Sequence, residues 1–256
     1  MANDTPDHSD PITAADVAGA LTRLRAQAPR VHCLTNAVAQ AFTANVLLAL
    51  GAVPSMTIAR EEVPSFVAGA GALLVNLGTL DPARNEAIEV ALDVVGDRAI
   101  PWVLDPVFAD VSAPRLDVAS FLLKRGPTVL RANERELAAL AGGDVGEAAL
   151  RAKTTIARTG AVDVVTDGTR TAWVDNGSAM LTKITATGCA AGAVVGAFLA
   201  VEPDPVVAAT AALTVFGVAA EIAGETAAGP GSFAVALLDA LYSLDEAILH
   251  EKARLT

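Results

Sequence analysis

The stretch Trp102-Val103-Leu104-Asp105-Pro106 contains the pattern that decides the fold. Three apolar residues lead without alternation into a carboxylate, and a proline then ends the run. Such a run is typical of a strand buried on both faces, as in a parallel sheet covered by helices. Two similar runs flank it, Ala72-Leu73-Leu74-Val75-Asn76 and Thr128-Val129-Leu130-Arg131. We therefore predict an α/β three-layer sandwich, with a mostly parallel central sheet and helices on both faces.

Other segments extend this alternation of strands and helices along the chain. We predict helices over residues 13–26 and 39–50, a third starting near Glu61, and a wholly helical last third over 188–255. Short strands are predicted over 31–35 and 54–57, and a hairpin with an Asp-Gly turn over 162–174. Residues 1–10 are polar and acidic, and we predict a disordered tail there, followed by one domain over 11–256.

Composition excludes several classes of function. The chain has 256 residues and a formal net charge of −11, which argues against nucleic acid as a partner because phosphate binding needs clustered cations. Its two cysteines form neither a disulfide framework nor a zinc motif, which fits a reducing, cytoplasmic location. The two most apolar stretches, 188–201 and 205–220, fall short of the roughly 20 residues of a membrane span. We predict that they are buried helices and that no membrane is involved.

The polar ends of the three buried runs predict where a ligand binds. Asn76, Asp105 and Arg131 each follow an apolar strand, and ligands of open α/β sheets bind at the carboxyl ends of the strands. We therefore expect these three side chains to lie together at one edge of the sheet.

A second candidate ligand-binding site is the turn Thr185-Ala186-Thr187-Gly188-Cys189, which precedes a predicted helix of small residues. The free N–H groups at the start of a helix, together with its dipole, suit a phosphate or a developing negative charge. The same position is expected to lower the pKa of the Cys189 thiol. The alternative is a loop before a buried helix, with Cys189 as a small hydrophobic residue.

Seven ordered motifs resemble those of the hydroxyethylthiazole kinases, a family of the ribokinase-like superfamily. They are Val31-His32-Cys33-Leu34-Thr35-Asn36, Ala49-Leu50-Gly51-Ala52-Val53-Pro54-Ser55-Met56, Leu74-Val75-Asn76-Leu77-Gly78-Thr79-Leu80, Val103-Leu104-Asp105-Pro106-Val107, Arg131-Ala132-Asn133-Glu134-Arg135-Glu136, Met180-Leu181-Thr182-Lys183 and Thr185-Ala186-Thr187-Gly188-Cys189. The resemblance spans about residues 20–250. It implies a ribokinase-like fold and an ATP- and Mg²⁺-dependent transfer of phosphate to the hydroxyl of 4-methyl-5-(2-hydroxyethyl)thiazole, in thiamine biosynthesis and salvage. It also implies a homotrimer with sites at the subunit boundaries.

The resemblance assigns roles to individual residues. Cys189 is the catalytic residue, at the position where most ribokinase-like kinases carry an Asp base. The expected metal ligands are Asp105 and Glu136. The expected ATP contacts are Arg131, Asn133, Thr166, Thr187 and Gly188. The expected thiazole contacts are Asn36, Met56, Gly78, Thr79 and Ala186.

Elementary chemistry agrees with these roles, because phosphoryl transfer needs mainly charge neutralisation and alignment. The planar guanidinium of Arg131 suits phosphate, and Mg²⁺ takes one or two carboxylates beside phosphate oxygens. Local alternatives are a helix capped by Asn133 for the Glu136 motif and ordinary core packing for Met56. Ala132 and Ala186 stand where the family usually has glycine, and alanine is strained at Ala186 if that position needs a positive φ.

Three other functions compete with this interpretation. A different ribokinase-like kinase or a nicotinamide-nucleotide-hydrate dehydratase is disfavoured because those relatives carry Asp in place of Cys189. A thiol-dependent hydrolase or acyltransferase would need a histidine such as His32 within hydrogen-bond reach of Cys189. A non-catalytic nucleotide-binding module is the third possibility.

Overall fold

The computed structural model describes residues 11–256. Within that range eight strands form one sheet: β1 (Arg30–Leu34), β2 (Val53–Ser55), β3 (Ala72–Asn76), β4 (Trp102–Asp105), β5 (Val129–Asn133), β6 (Thr155–Thr159), β7 (Asp163–Thr166) and β8 (Thr171–Val174). Their order across the sheet is β2-β1-β3-β4-β5-β6-β7-β8. Strands β1 to β6 pair in parallel, and β7 pairs antiparallel with both β6 and β8. The tail predicted over 1–10 lies outside the described residues.

The helices of the described chain are α1 (Ala14–Gln27), α2 (Gln40–Leu50), α3 (Val63–Ala68), α4 (Pro82–Arg98), α5 (Ala113–Leu123), α6 (Glu134–Leu140), α7 (Val145–Ala152), α8 (Thr187–Leu199), α9 (Pro205–Thr226), α10 (Pro230–Ser243) and α11 (Glu246–Lys252). A short 3-10 helix, Ala179–Lys183, precedes α8. Several of these helices show the start and stop signals that local chemistry requires. Thr13 and Asp16 form a capping box on α1, and Gly51 ends α2 with a φ of +105°.

Two apolar cores lie on opposite faces of the sheet. On one face, inward residues such as Cys33, Leu74 and Val103 pack against α1, α2 and α8 to α10. On the other, Leu73 and Leu104 pack against α3 to α7. Neighbouring residues of one strand thus enter different cores, which is why these strands are apolar without alternation. The predicted α/β three-layer sandwich with a mostly parallel sheet is confirmed.

Some boundaries differ from the prediction. Strand β6 was not predicted, since its sequence Thr-Ile-Ala-Arg-Thr lacks a long apolar run. The last third is not helical to its end, because Trp173 and Thr256 exchange two backbone hydrogen bonds and Leu255 bridges to Val174. This C-terminal segment therefore extends the sheet edge at β8.

Helix α9 is longer than predicted. It has 22 residues and is the one helix in residues 11–256 long and apolar enough, by length and composition, to cross a membrane. The predicted length was wrong because the helix continues past Glu221 to Thr226. Glu221 is tolerated there because it accepts hydrogen bonds from the backbone of Gly177 and from Arg254. The most apolar window of α9 is 83% buried inside the protein, as in a core helix.

Candidate active site

The carboxyl ends of β3 and β4 and the middle of β5 bring three polar side chains together, as expected from the sequence. Arg131 does not end its strand as predicted, because β5 continues to Asn133. Asn76 and Asp105 are register partners on adjacent strands, and both are buried. Asn76 Nδ2 donates a hydrogen bond to Asp105 Oδ2 at 2.9 Å. Arg131 Nη1 lies 3.6 Å from Asp105 Oδ1 as an ion pair. These strand ends form the floor of the candidate site.

The N-terminus of α8 lies directly over this floor. Gly188 and Gly192 face the floor: a Cβ at Gly188 would be 3.2 Å from Arg131 Nη1, and one at Gly192 would be 3.1 Å from Asp105 Oδ2. Two glycines one turn apart thus let the helix backbone approach the charged groups. Ala186 precedes the helix with a φ of +74° and provides no side-chain cap. The first N–H groups of α8 therefore remain available to an anion.

The Cys189 thiol lies beside Asp105 and Asn76. Burial and the charge of Asp105 raise its pKa to about 11, and a hydrogen bond from Asn76 and the charge of Arg131 act in the opposite direction. The prediction that the helix terminus lowers this pKa is wrong, because loss of solvent and a nearby carboxylate outweigh the dipole. The thiol keeps its proton at neutral pH.

The two carboxylates expected to hold metal face the same region. Burial, with the Glu136 charge as a smaller cause, raises the pKa of Asp105 to about 7, while Arg131 and Asn76 act to lower it. Glu136 accepts hydrogen bonds from the N–H of Phe108 at 2.9 Å and from that of Asn133 at 3.0 Å. Asn133 in turn caps α6 through a capping box, so the capping alternative for this motif is also realised. The described residues contain no cluster of three or more His, Cys, Asp or Glu side chains suited to a metal.

A cavity of about 740 Å³ opens on the β5–β8 side of the α8 N-terminus. Arg131, Thr187 and Gly188 line its polar end, and Arg131 Nη2 donates to Thr159 Oγ1 at 2.9 Å. The lining also includes apolar side chains, namely Leu181, Ala191, Leu213 and Phe216. A cationic end and an apolar wall in one cavity suit a ligand with a phosphate chain and a flat base.

Two of the expected ATP contacts do not line this cavity. Asn133 is at the start of α6, where it caps the helix. Thr166 is fully buried at the end of β7, where its hydroxyl donates to Arg170 O and accepts from the N–H of Gly168. Thr159, which sequence reasoning missed, lines the cavity instead. It ends β6, and a prediction of that strand would have placed it at the same edge.

The residues expected to contact the thiazole lie mostly in the loops after β1 and β3. Thr79 Oγ1 donates to Asn36 Oδ1 at 3.0 Å, which joins the two loops. A side chain at Gly78 would meet Asn36 Nδ2 at 2.3 Å, so only glycine fits against it. The N–H of Gly78 donates to Asn76 Oδ1, linking these loops to Asp105 and Cys189. Met56 follows β2 and is partly buried against the core under α2.

His32 does not act as a partner of the thiol. It is buried on β1 with Nδ1 2.8 Å from Ser55 Oγ, and no hydrogen bond joins it to Cys189 within residues 11–256. The Cys189–His32 arrangement of a thiol hydrolase is therefore not formed.

Comparisons with known proteins agree with this geometry. The model of the hydroxyethylthiazole kinase family matches residues 21–247. The chain is 44% identical over 243 residues to a probable hydroxyethylthiazole kinase of Agrobacterium fabrum, covering 95% of this chain and 96% of that protein. The chain belongs to the hydroxyethylthiazole kinase family. It is accordingly a kinase, and the hydrolase, dehydratase and non-catalytic interpretations are set aside.

Solved structures support the same assignment. The hydroxyethylthiazole kinase of Pyrococcus horikoshii matches with a TM-score of 0.91 at 42% identity, over 94% of this chain and 98% of that one. A ribokinase-like superfamily protein from Enterococcus faecalis matches with a TM-score of 0.66 at 12% identity, over 91% and 95% of the two chains. This second match shows the fold alone, and it confirms that the kinase has the ribokinase-like architecture.

Proposed function

We propose that this kinase transfers the γ-phosphoryl group of ATP to the hydroxyl of 4-methyl-5-(2-hydroxyethyl)thiazole, giving a thiazole phosphate for thiamine biosynthesis or salvage. One observation supports the reaction type above all. The N-terminus of α8 lies between a cavity on the β5–β8 side and the joined loops of Asn36 and Thr79 on the β1–β3 side. If the two substrates bind on opposite sides of this helix end, the acceptor hydroxyl faces the γ-phosphoryl group opposite the leaving oxygen. Phosphoryl transfer requires this in-line arrangement.

ATP belongs in the cavity, with its phosphates toward α8. Arg131 is oriented by Thr159 and by Asp105, so its guanidinium is fixed before a phosphate arrives. The backbone N–H groups of Thr187 and Gly188 supply further donors at the same end. Asn133 and Thr166 do not line the cavity, so in this proposal they support it indirectly. Asn133 caps α6, and Thr166 holds the β7–β8 turn through a hydrogen bond to Arg170 O.

The carboxylates of Asp105 and Glu136 fit a magnesium ion that is shared with phosphate oxygens. Asp105 Oδ1 is buried and lies 3.6 Å from Arg131 Nη1, beyond hydrogen-bond length, so it retains a lone pair for a metal ion. Magnesium, when bound, neutralises phosphate charge and needs only one or two protein carboxylates. We expect Asp105→Asn and Glu136→Gln to raise the Mg²⁺ concentration needed for half-maximal activity. An unchanged requirement in both folded variants would contradict these roles.

Cys189 orients the acceptor hydroxyl. The thiol is protonated at neutral pH, so its first contribution is a hydrogen bond that positions the alcohol. The backbone N–H groups from Ala186 to Cys189 then hold the phosphoryl group as it transfers. The thiazole packs on Met56 and lies along the loops of Asn36, Gly78 and Thr79, with the Ala186 methyl group at the hydroxyl end.

We infer a cytoplasmic homotrimer in which residues 11–256 form one catalytic domain. The net charge of −11 supports small-molecule substrates over nucleic acid, and the burial of α9 supports a protein that does not use a membrane.

A coupled assay of ADP release, with mass detection of the product, tests the function. The wild type is incubated with ATP and Mg²⁺ and with the thiazole alcohol, a pyrimidine alcohol or pyridoxal. We expect a phosphorylated product with the thiazole alcohol at the highest kcat/KM. Phosphorylation of another alcohol without any thiazole phosphate would overturn the substrate assignment.

A further inference from the structure

Phe108 has a backbone conformation that its residue type disfavours. Its φ is +59°, which for a bulky side chain is a genuine outlier. Of the other non-glycine residues with positive φ in residues 11–256, Ala28, Ala99 and Lys153 each end a helix, and Ala186 precedes α8 at the candidate site. Phe108 caps no helix: it lies in the loop between β4 and α5, three residues after Asp105. Strain of this kind persists only where the surroundings hold it, and it concentrates at functional sites.

The loop of Phe108 is held by hydrogen bonds to the candidate site. The N–H of Phe108 donates to Glu136 Oε1 at 2.9 Å. Its carbonyl accepts from the N–H groups of Val111 and Ser112, both at 3.1 Å. The strained backbone is thus fixed to one of the two carboxylates assigned to metal, and its position depends on the site.

The ring of Phe108 gains little stabilisation from burial. The side chain is 57% exposed, although burial is the usual source of an aromatic residue's stabilising effect. The guanidinium carbon of Arg115 lies 5.8 Å from the ring centroid. Arg115 also donates to the carbonyls of Val107 at 3.2 Å and Gly78 at 2.8 Å, so it connects the ring to the loop after β3. The ring therefore stands exposed on a fixed backbone, and Arg115 connects it to the loop that contains Gly78.

We propose that Phe108 is a specificity-determining residue, whose ring forms a wall for the flat heteroaromatic ring of the acceptor alcohol. This inference rests on the proposed function. The ATP cavity occupies the β5–β8 side of α8, so the acceptor approaches from the ends of β1, β3 and β4, and Phe108 follows β4. A rigid phenyl ring at that entrance favours a flat partner, because aromatic pairs gain from stacked or edge-to-face contact.

The test compares Phe108→Leu and Phe108→Gly with the wild type and with Phe121→Leu. Phe121 is a matched control, since it is 56% exposed on α5 and makes none of these contacts with the site loops. Loss of one aromatic contact is expected to raise the KM for the thiazole alcohol by about threefold to tenfold in both Phe108 variants. The KM for ATP is expected to stay unchanged, and Phe121→Leu is expected to match the wild type. Phe108→Gly relieves the strained φ, so its thermal midpoint is expected to equal or exceed that of Phe108→Leu.

The outcomes separate this inference from the function itself. A wild type that makes no thiazole phosphate would overturn both proposals. A wild type that makes it, together with Phe108 variants of unchanged thiazole KM, would overturn the specificity role alone. Sedimentation analysis is run on every variant. A raised KM that accompanies dissociation into smaller species would assign Phe108 to subunit packing and overturn the proposal.

Discussion

At the scale of single residues, Cys189 shows how surroundings decide what a thiol can do. The start of a helix lowers a thiol pKa, yet this thiol is buried beside Asp105 and its pKa is about 11. A group that holds its proton so firmly is a poor free nucleophile but a suitable hydrogen-bonding partner for an alcohol. Its contribution to catalysis is then one of positioning.

We expect Cys189→Ala to lower kcat by about tenfold to a hundredfold, since misplacement of a reacting group by about 1 Å can cost about 10²-fold. The KM values for ATP and thiazole are expected to change little. Steady-state kinetics measure both. Cys33→Ala is the matched control, because Cys33 is the other buried cysteine and lies in the core on β1. Equal kcat values in the two variants would show that the Cys189 thiol only lines the site.

Ala186 is the second residue whose conformation matters to the site. With a φ of +74° it occupies the left-handed region that favours glycine. We expect Ala186→Gly to raise the free energy of unfolding by about 0.5–1 kcal/mol, since relief of strain exceeds the added chain entropy. Ala138→Gly, an exposed position inside α6, is expected to lower it by about 1 kcal/mol. Urea denaturation measures both, and a destabilised Ala186→Gly variant would contradict the argument.

At the scale of elements, the approach of α8 to the sheet depends on where its glycines lie. A methyl group at Gly192 would be 3.1 Å from Asp105 Oδ2 and 3.3 Å from Leu74 Cδ1. One turn later, a methyl group at Gly196 would be 3.4 Å from Val31 Cγ1, which is an ordinary contact. The same substitution at the two positions therefore separates helix propensity from geometry at the site.

We expect Gly192→Ala to reduce kcat by about tenfold or more, because displacement of a positioned group by a fraction of an ångström is costly. Its stability is expected to change by less than about 1 kcal/mol, since the helix propensity of alanine offsets the crowding. Gly196→Ala is expected to keep the kcat of the wild type. Kinetics and urea denaturation of the two variants, side by side, check the pair. Equal kcat values would mean that the position of Asp105 tolerates the shift.

Elements also show what the sequence could and could not reveal. Strands β3 and β4 were predicted to the residue because each is an apolar run that ends in a polar side chain, and Asn76 and Asp105 followed from them. Strand β6 was missed because it contains two threonines and one arginine, so its apolar run is only two residues long. Thr159 was missed with it. The pKa of Cys189 depends on burial and on a carboxylate more than 80 positions away in sequence, which no local pattern contains.

At the scale of the whole molecule, the burial of His32 in the sheet makes the stability of the protein depend on pH. It is buried on β1 between Ser55, which lies 2.8 Å from its Nδ1, and the ring of Phe66, and its Nε2 has no partner among residues 11–256. Burial lowers the pKa of His32 to about 4. In the unfolded chain the ordinary value is about 6.5, so between these two values the unfolded state binds more protons. Stability is thus complete above about pH 6.5 and falls as the pH approaches 4.

When the pH falls from 7 to 5, we expect the free energy of unfolding to drop by roughly 2 kcal/mol more in the wild type than in His32→Asn. The variant lacks the buried imidazole, which takes up a proton more readily in the unfolded chain than in the folded protein. His250→Asn is the matched control, since His250 is exposed beside Glu246 on α11. The free energy of unfolding of this variant should drop as much as that of the wild type. The raised pKa of Asp105 acts in the opposite direction, because it favours the protonated folded state at low pH, but it is common to all three proteins and cancels. Urea denaturation at the two pH values gives the differences. Equal losses in the wild type and His32→Asn would show that the folded protein accommodates a charged His32, and that burial on β1 does not control its protonation.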